Sequence, residues 1–139
     1  MKIFILEDNK DRIDFFKQKF IGHELTIFTD NASAEKFVSI CPFTFDLVLL
    51  DHDLGIKSFV PSTDTDCGYH FVKHVVENDI KCIEDAKIII HSQNTAGARN
   101  MSQLFLANGI VSYQVPFFYF QYPHIITVGQ DDNIRIVLP

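Results

Sequence analysis

The chain has no tryptophan, only three cysteines, and no long apolar run. Nothing in it approaches the ~18 consecutive apolar residues of a transmembrane helix, so no contact with a membrane is expected. The opening M-K-I-F-I-L-E-D holds a four-residue apolar run ahead of acidic residues, too short for the h-region of a secretory leader. Cys41, Cys67 and Cys82 form no C-x-x-C pair, and an odd number cannot all pair within the chain. A reducing, cytoplasmic location is the expectation. Basic residues are also few: 12 Lys and Arg against 18 Asp and Glu give a formal charge of -6. That excludes a general electrostatic grip on a nucleic-acid backbone but leaves room for a short nucleotide in a local pocket. No internal repeat, low-complexity tract or linker interrupts the chain.

What is present suits a folded domain. The 139 residues are 47% hydrophobic and 22% charged, with 14 phenylalanines, enough for one domain with a real core. Short, mostly non-alternating apolar blocks recur at Ile3–Leu6, Leu25–Phe28, Leu47–Leu50, Lys87–Ile90 and Ile110–Val115, as expected of strands buried on both faces of a parallel sheet. Between them, helical spacing marks Lys10–Phe20, Ala32–Ile40, Gly68–Asn78 and Thr95–Asn108. The alternation predicts a three-layer, flavodoxin-like α/β fold with right-handed crossovers. It occupies residues 1–117, and residues 118–139 add an aromatic segment and a β-hairpin about a polar turn.

In such a sheet, ligands bind outside the carboxyl ends of the strands. Those ends carry Glu7-Asp8-Asn9, Asp51-His52-Asp53 and His91-Ser92-Gln93-Asn94. Glu7, Asp8 and Asp51 meet if the first and third strands are neighbours, and crowded carboxylates of this kind suit Mg²⁺ or Mn²⁺. The plainer alternative is that Asp8 and Asn9 cap the following helix and Asp51 ends a strand.

I-F-I-L-E-D-N, F-D-L-V-L-L-D and I-I-I-H-S resemble the first, third and fourth strands of a response-regulator receiver domain. The resemblance implies Mg²⁺ at Glu7, Asp8 and Asp51, a phosphoacceptor at Asp51 and a switch hydroxyl at Ser92. One departure stands out: Gln114 and Val115 precede Pro116 where receivers carry a lysine. L-D-H-D-L-G, C-G-Y-H-F-V and H-S-Q-N-T-A-G-A-R-N-M resemble a narrower group, the cyclic-phosphate processing receiver domains. That resemblance implies action on a cyclic phosphate of a nucleotide or an RNA end.

Hydrolysis of a phosphodiester needs an activated water, neutralised phosphoryl oxygens and a protonated leaving oxygen. The expected metal addresses the first two, and His52 and His91 are the candidates to divide acid and base roles. Asp53 would orient His52 or join the metal. Ser92 and Asn94 offer hydrogen bonds beside the N-terminus of the helix near Thr95, and Arg99 would reach an anion or face solvent. His52 and His91 are expected to open onto one pocket, overhung by the Gly55–Cys67 loop. Phe117, Phe118, Tyr119, Phe120 and Tyr122 would stack on a base, fill the core or form a homodimer surface. The rival functions are a signalling receiver phosphorylated on Asp51 and a degenerate receiver serving as a binding module.

Overall fold

A computed structural model describes residues 1–55, 58–129, 131 and 133–137. Ile56 and Lys57 of the expected overhanging loop, and Gln130 and Asp132 of the hairpin turn, lie outside the described residues. Strands β1 (Lys2–Leu6), β2 (Glu24–Phe28), β3 (Leu47–Leu50), β4 (Lys87–Ile90) and β5 (Ser112–Gln114) pair in parallel in the order β2-β1-β3-β4-β5. Helices α1 (Lys10–Lys19), α2 (Asn31–Val38), α3 (Gly68–Glu77), α4 (Lys81–Glu84) and α5 (Thr95–Ala107) make the crossovers. This is the expected flavodoxin-like sheet, with α4 as an unforeseen extra turn before β4. β5 starts later than its apolar run, because Ile110 still donates its N–H to Phe105 at the end of α5.

Register decides where every rim residue points. Leu6 pairs with Leu50, and Leu50 with Ile90. Paired residues of parallel strands share a face, and each chain neighbour takes the other. Ile3, Ile5, Leu47, Leu49 and Ile89 therefore pack with Phe16 of α1 and with Phe20, which caps that helix. Phe4, Leu6, Val48, Leu50, Ile88 and Ile90 pack instead with Phe71 and Val75 of α3 and Met101 and Phe105 of α5.

The α1 face is completed by the chain after β5. Pro116 leads into a 3₁₀ turn, Phe117–Gln121, followed by the antiparallel pair β6 (Ile126–Val128) and β7 (Ile134–Ile136). Phe117 and Phe120 are three apart, one 3₁₀ turn, and both set their rings edge-on to Phe16, at 5.5 and 5.3 Å. These two aromatics are core, whereas Phe118 and Tyr122 are exposed. The hairpin matches expectation; the aromatic stretch before it forms a short 3₁₀ helix. Among the described residues no helix is long and apolar enough to cross a membrane.

Candidate metal and phosphate site

Extending the register one residue past the strands places Glu7, Asp51 and His91 on the α1 face. All three remain tied into the sheet, their N–H groups bonded to Phe28, Leu6 and Leu50 carbonyls at 2.9–3.0 Å. Glu7, Asp8 and Asp51 bring ligand oxygens within 4.8 Å of one another, at a cleft of about 440 Å³. The expected juxtaposition is therefore present.

The charges of this cluster are unequal. Burial raises the Asp51 carboxyl, and the neighbouring Glu7 raises it further, against the opposing pull of His91, Ser92 and Arg12. Glu7 is also pushed up by burial, but its bond to His91, the charge on that ring, the Asn9 N–H and Arg12 outweigh this and leave it lowered. His91 Nε2 lies 2.9 Å from Glu7 Oε2, with neither side chain exposed. The arrangement has Nε2–H donating to the carboxylate, while Nδ1 has no partner among the described residues.

Arg12 brings the cation that the fifth strand lacks. Its Nη1 lies 3.5 Å from Glu7 Oε2 and 3.6 Å from Asp51 Oδ2, and its guanidinium stacks over Phe117 at 5.1 Å. It comes from the first helix, not from the position before Pro116 where receivers carry a lysine. The available signal was position: Arg12 lies one helical turn before Phe16, on the face of α1 that turns toward the sheet.

A hard divalent cation fits this donor set. Three carboxylates converge from two adjacent strand ends, two of them buried, and Arg12 touches them only at long range. Oxygen donors without sulfur or imidazole suit a hard ion such as Mg²⁺ rather than a softer one. Asn9, not Asp8, caps α1, its side chain accepting the Arg12 N–H, so Asp8 is not spent as the cap.

The two histidines lie on opposite faces of the sheet rather than at one pocket as expected. His52 follows Asp51 by one residue, so it falls on the α5 face, whereas His91 pairs with Asp51 in register and falls on the α1 face. A one-residue step in a strand reverses the side. Both rings are fully buried and neither lines the cleft. His91 packs edge-on to Phe16 at 5.1 Å; His52 lies so close under Gly97 that an added Cβ there would collide with its ring. Among the described residues His52 and His91 therefore do not open onto one cleft, contrary to expectation.

Ser92 and Asn94 line the carboxylate cleft rather than a pocket shared by the two histidines, and their hydrogen-bonding capacity turns inward. Ser92 bonds Asp51 and accepts the Asn94 N–H. Asn94 caps α5 through the Gly97 N–H and donates to Asp53 Oδ1 and Val60 O. Arg99 is exposed and does not line the cleft, because Gly97, Ala98 and Met101 occupy the inward face of α5. Asp53 lines the cleft edge and is bound by the N–H groups of Phe59 and Val60 at 2.6 and 3.1 Å. Burial raises its carboxyl, but the His52, Asn94 and backbone bonds leave it lowered. These bonds tie the following loop over the site: Ser58 and Phe59 form part of the cleft wall. Phe59 is 79% exposed and held at φ 53°, a costly conformation for a bulky residue, and was not anticipated.

Solved structures share this fold at low identity. The response regulator TrrA from Thermotoga maritima, solved in complex with Mg(2+)-BeF, matches with TM-score 0.57 and 20% identity over 86% of this chain and 89% of its own. The HemR receiver domain from Leptospira biflexa gives 0.57 and 19% over 83% and 80%. A CheY-like receiver domain protein from Methanospirillum hungatei gives 0.53 and 21% over 82% and 79%. No curated protein matches. The family model of the cyclic-phosphate processing Receiver domain matches residues 1–107, which span both carboxylate strands, both rim histidines and the whole of α5. The chain belongs to that family.

Proposed function

We propose that the chain hydrolyses a cyclic phosphate ester of a nucleotide or an RNA end at the Glu7, Asp8 and Asp51 cleft. The observation that carries this reading is the convergence of three carboxylates within 4.8 Å, with Arg12 in place of the receiver lysine. A divalent cation bound there would neutralise phosphoryl oxygens and lower the pKa of a water. Arg12, with the exposed Lys10 at the same cleft, binds the remaining phosphoryl charge. Asp51 is oriented by Ser92 and by the His52 N–H on its Oδ1 at 2.8 Å.

The buried histidines act on carboxylates rather than on substrate. His91 fixes Glu7, His52 fixes Asp53, and the leaving oxygen takes its proton from solvent in the open cleft. Phe59, exposed at the cleft edge, offers a face on which a base stacks, an interaction of about 1–3 kcal/mol. A cytoplasmic location and self-association through the exposed Phe118 and Tyr122 belong to the same proposal.

The test is a panel of 2′,3′-cyclic and 3′,5′-cyclic nucleotides and RNA ending in a 2′,3′-cyclic phosphate, assayed with Mg²⁺ or Mn²⁺ and with chelator. Ring opening that needs the divalent ion and falls at least ~100-fold in Asp51→Asn is expected. Turnover that survives chelation would remove the metal from the reading. A stable acyl phosphate on Asp51 after incubation with a small phosphodonor, without ring opening, would replace hydrolysis by signalling.

A further inference from the structure

His52, on the α5 face, and Asp53, at the cleft edge, form part of a second constellation that extends away from the carboxylate cluster. Asp53 Oδ1 lies 2.9 Å from His52 Nδ1, and His52 Nε2 lies 3.1 Å from Ser62 Oγ. Asp53 accepts from two backbone N–H groups and from Asn94 Nδ2, and it is the only charged side chain paired with the ring among the described residues. With Nδ1–H donated to that carboxylate, Nε2 is free to accept the Ser62 hydroxyl proton. Asn100 Nδ2 donates to Ser62 Oγ at 2.9 Å, which directs the hydroxyl hydrogen to the imidazole. The ring is pinned beneath Gly97, whereas Ser62 is partly exposed.

We propose that Ser62 is an activated nucleophile, served by His52 as base and by Asp53 as positioning residue, in a site that takes an uncharged carboxylic ester. The order carboxylate, imidazole, hydroxyl is the geometry that activates a serine in acyl transfer. Ser62 does not line the cleft that holds Lys10 and Arg12, so those cations are not at hand for a phosphate anion and a neutral acyl donor is favoured. Ser62 Oγ bonds to the ester carbonyl carbon and its proton passes to His52 Nε2. Charge gathering on the carbonyl oxygen is met by Asn100 Nδ2. The bond from carbon to the alcohol oxygen then breaks, and the departing alkoxide takes the proton from Nε2. Water entering by the same route, its proton passing to Nε2 and on to Ser62, releases the acid and restores the hydroxyl. No step draws on the carboxylate cluster or its ion.

The test uses an uncharged alkyl fluorophosphonate on the full chain, with peptide mass spectrometry comparing Ser62 with the exposed Ser33. In the unaltered protein Ser62 is expected to label about 100-fold faster than Ser33 or more, with or without chelator. His52→Gln, which keeps a hydrogen-bonding group against Ser62 but cannot serve as base, brings Ser62 down to the Ser33 rate. Asp53→Asn slows Ser62 labelling and leaves Ser33 unchanged, and Asp53→Glu, which returns a carboxylate to the ring, recovers part of the rate. A bond that merely fastened the loop would leave the Ser62 rate in place in both variants. Equal labelling of Ser62 and Ser33 in the unaltered protein overturns the proposal without recourse to any variant, as does undiminished labelling in His52→Gln.

Discussion

On the α1 side of the rim an imidazole meets a carboxylate across 84 residues of sequence, His91 on Glu7, and both side chains are wholly buried. On the α5 side His52 meets its chain neighbour Asp53, whose side chain keeps 15% of its surface exposed and also binds a loop. The two pairs have the same chemistry and nearly the same length, yet they do different things. The long-range pair holds a charge in the core beneath the expected cation and has few ways to relax if broken. The local pair fastens the 58–60 segment and leaves a hydroxyl at its outer end. What separates them is one step along a strand.

The largest effect should come from breaking the buried pair. His91→Ala strands the Glu7 carboxylate in the core, and losing one partner of a buried pair costs about 3–5 kcal/mol. Urea unfolding would measure it, and Glu7→Gln added to His91→Ala should recover part of the loss as a coupling energy. The sign with pH follows from the lowered Glu7 carboxyl. A depressed carboxylate stabilises the fold above its unfolded pKa and loses that contribution as pH falls through its folded value. The gap between wild type and His91→Ala should therefore narrow below about pH 4.

Gly97→Ala breaks the other side. Its Cβ would run into the His52 ring, and overpacking of this kind costs about 1–3 kcal/mol. Thermal melts should show that loss, while Mg²⁺ affinity by calorimetry should stay within about twofold, since the links between the sides, the His52 N–H on Asp51 Oδ1 and Ser92 between Asp51 and the Asn94 N–H, do not pass through the imidazole ring. A large loss of Mg²⁺ affinity in Gly97→Ala would mean that the two sides act as one.

Much of this architecture was legible because it rests on short-range pattern. Non-alternating blocks such as L-V-L-L and I-I-I mark doubly covered strands, and the polar triplets after them mark the rim. Glu7, Asp8 and Asp51 could be joined because neighbouring strands bring equivalent ends together. The error over His52 and His91 came from treating "just past the strand" as one place. Register, which no single strand displays, sets His91 against Asp51 and His52 against Ser92. Arg12, Ser62 and Phe59 were invisible for a different reason: each reaches the rim from a helix or loop whose path depends on tertiary bonds, such as those from Asp53 to Phe59 and Val60. The 3₁₀ turn at Phe117 was hidden because apolar residues three apart do not distinguish a tight helix from a strand in so short a run.

Arg12→Ala should move binding more than stability. Its ion pairs are long, 3.5 and 3.6 Å, and its side chain is partly exposed, so the loss of stability should stay below about 1 kcal/mol. As the strongest cation beside the expected phosphoryl position it should matter about tenfold to inorganic phosphate affinity in the presence of Mg²⁺, a charge-assisted bond of roughly 1.4 kcal/mol. Titration calorimetry with phosphate separates the two, and an unchanged affinity would return the search for the missing cation to other residues.

The smallest effect is local and concerns the loop that Asp53 holds. Its carboxyl is lowered: burial pushes it up, but the His52, Asn94, Phe59 and Val60 bonds prevail. The unfolded or loop-open chain therefore binds a proton more readily than the closed one in the window just below the usual carboxylate range. Closing is favoured above that window and loses its advantage as pH falls through it. Phe59 sits at φ 53°, a strain of roughly 1–3 kcal/mol that its bond to Asp53 Oδ2 helps to hold. Releasing the carboxylate should thus free this segment first. Protection factors from amide hydrogen exchange, which remove the intrinsic pH dependence, should fall for Phe59 and Val60 below about pH 4 while those of β3 hold. In Asp53→Asn the same two amides should be poorly protected at every pH, and the step should vanish. A step of equal size in that variant would assign the transition to another carboxyl group and leave the α5 side of the rim without its titrating anchor.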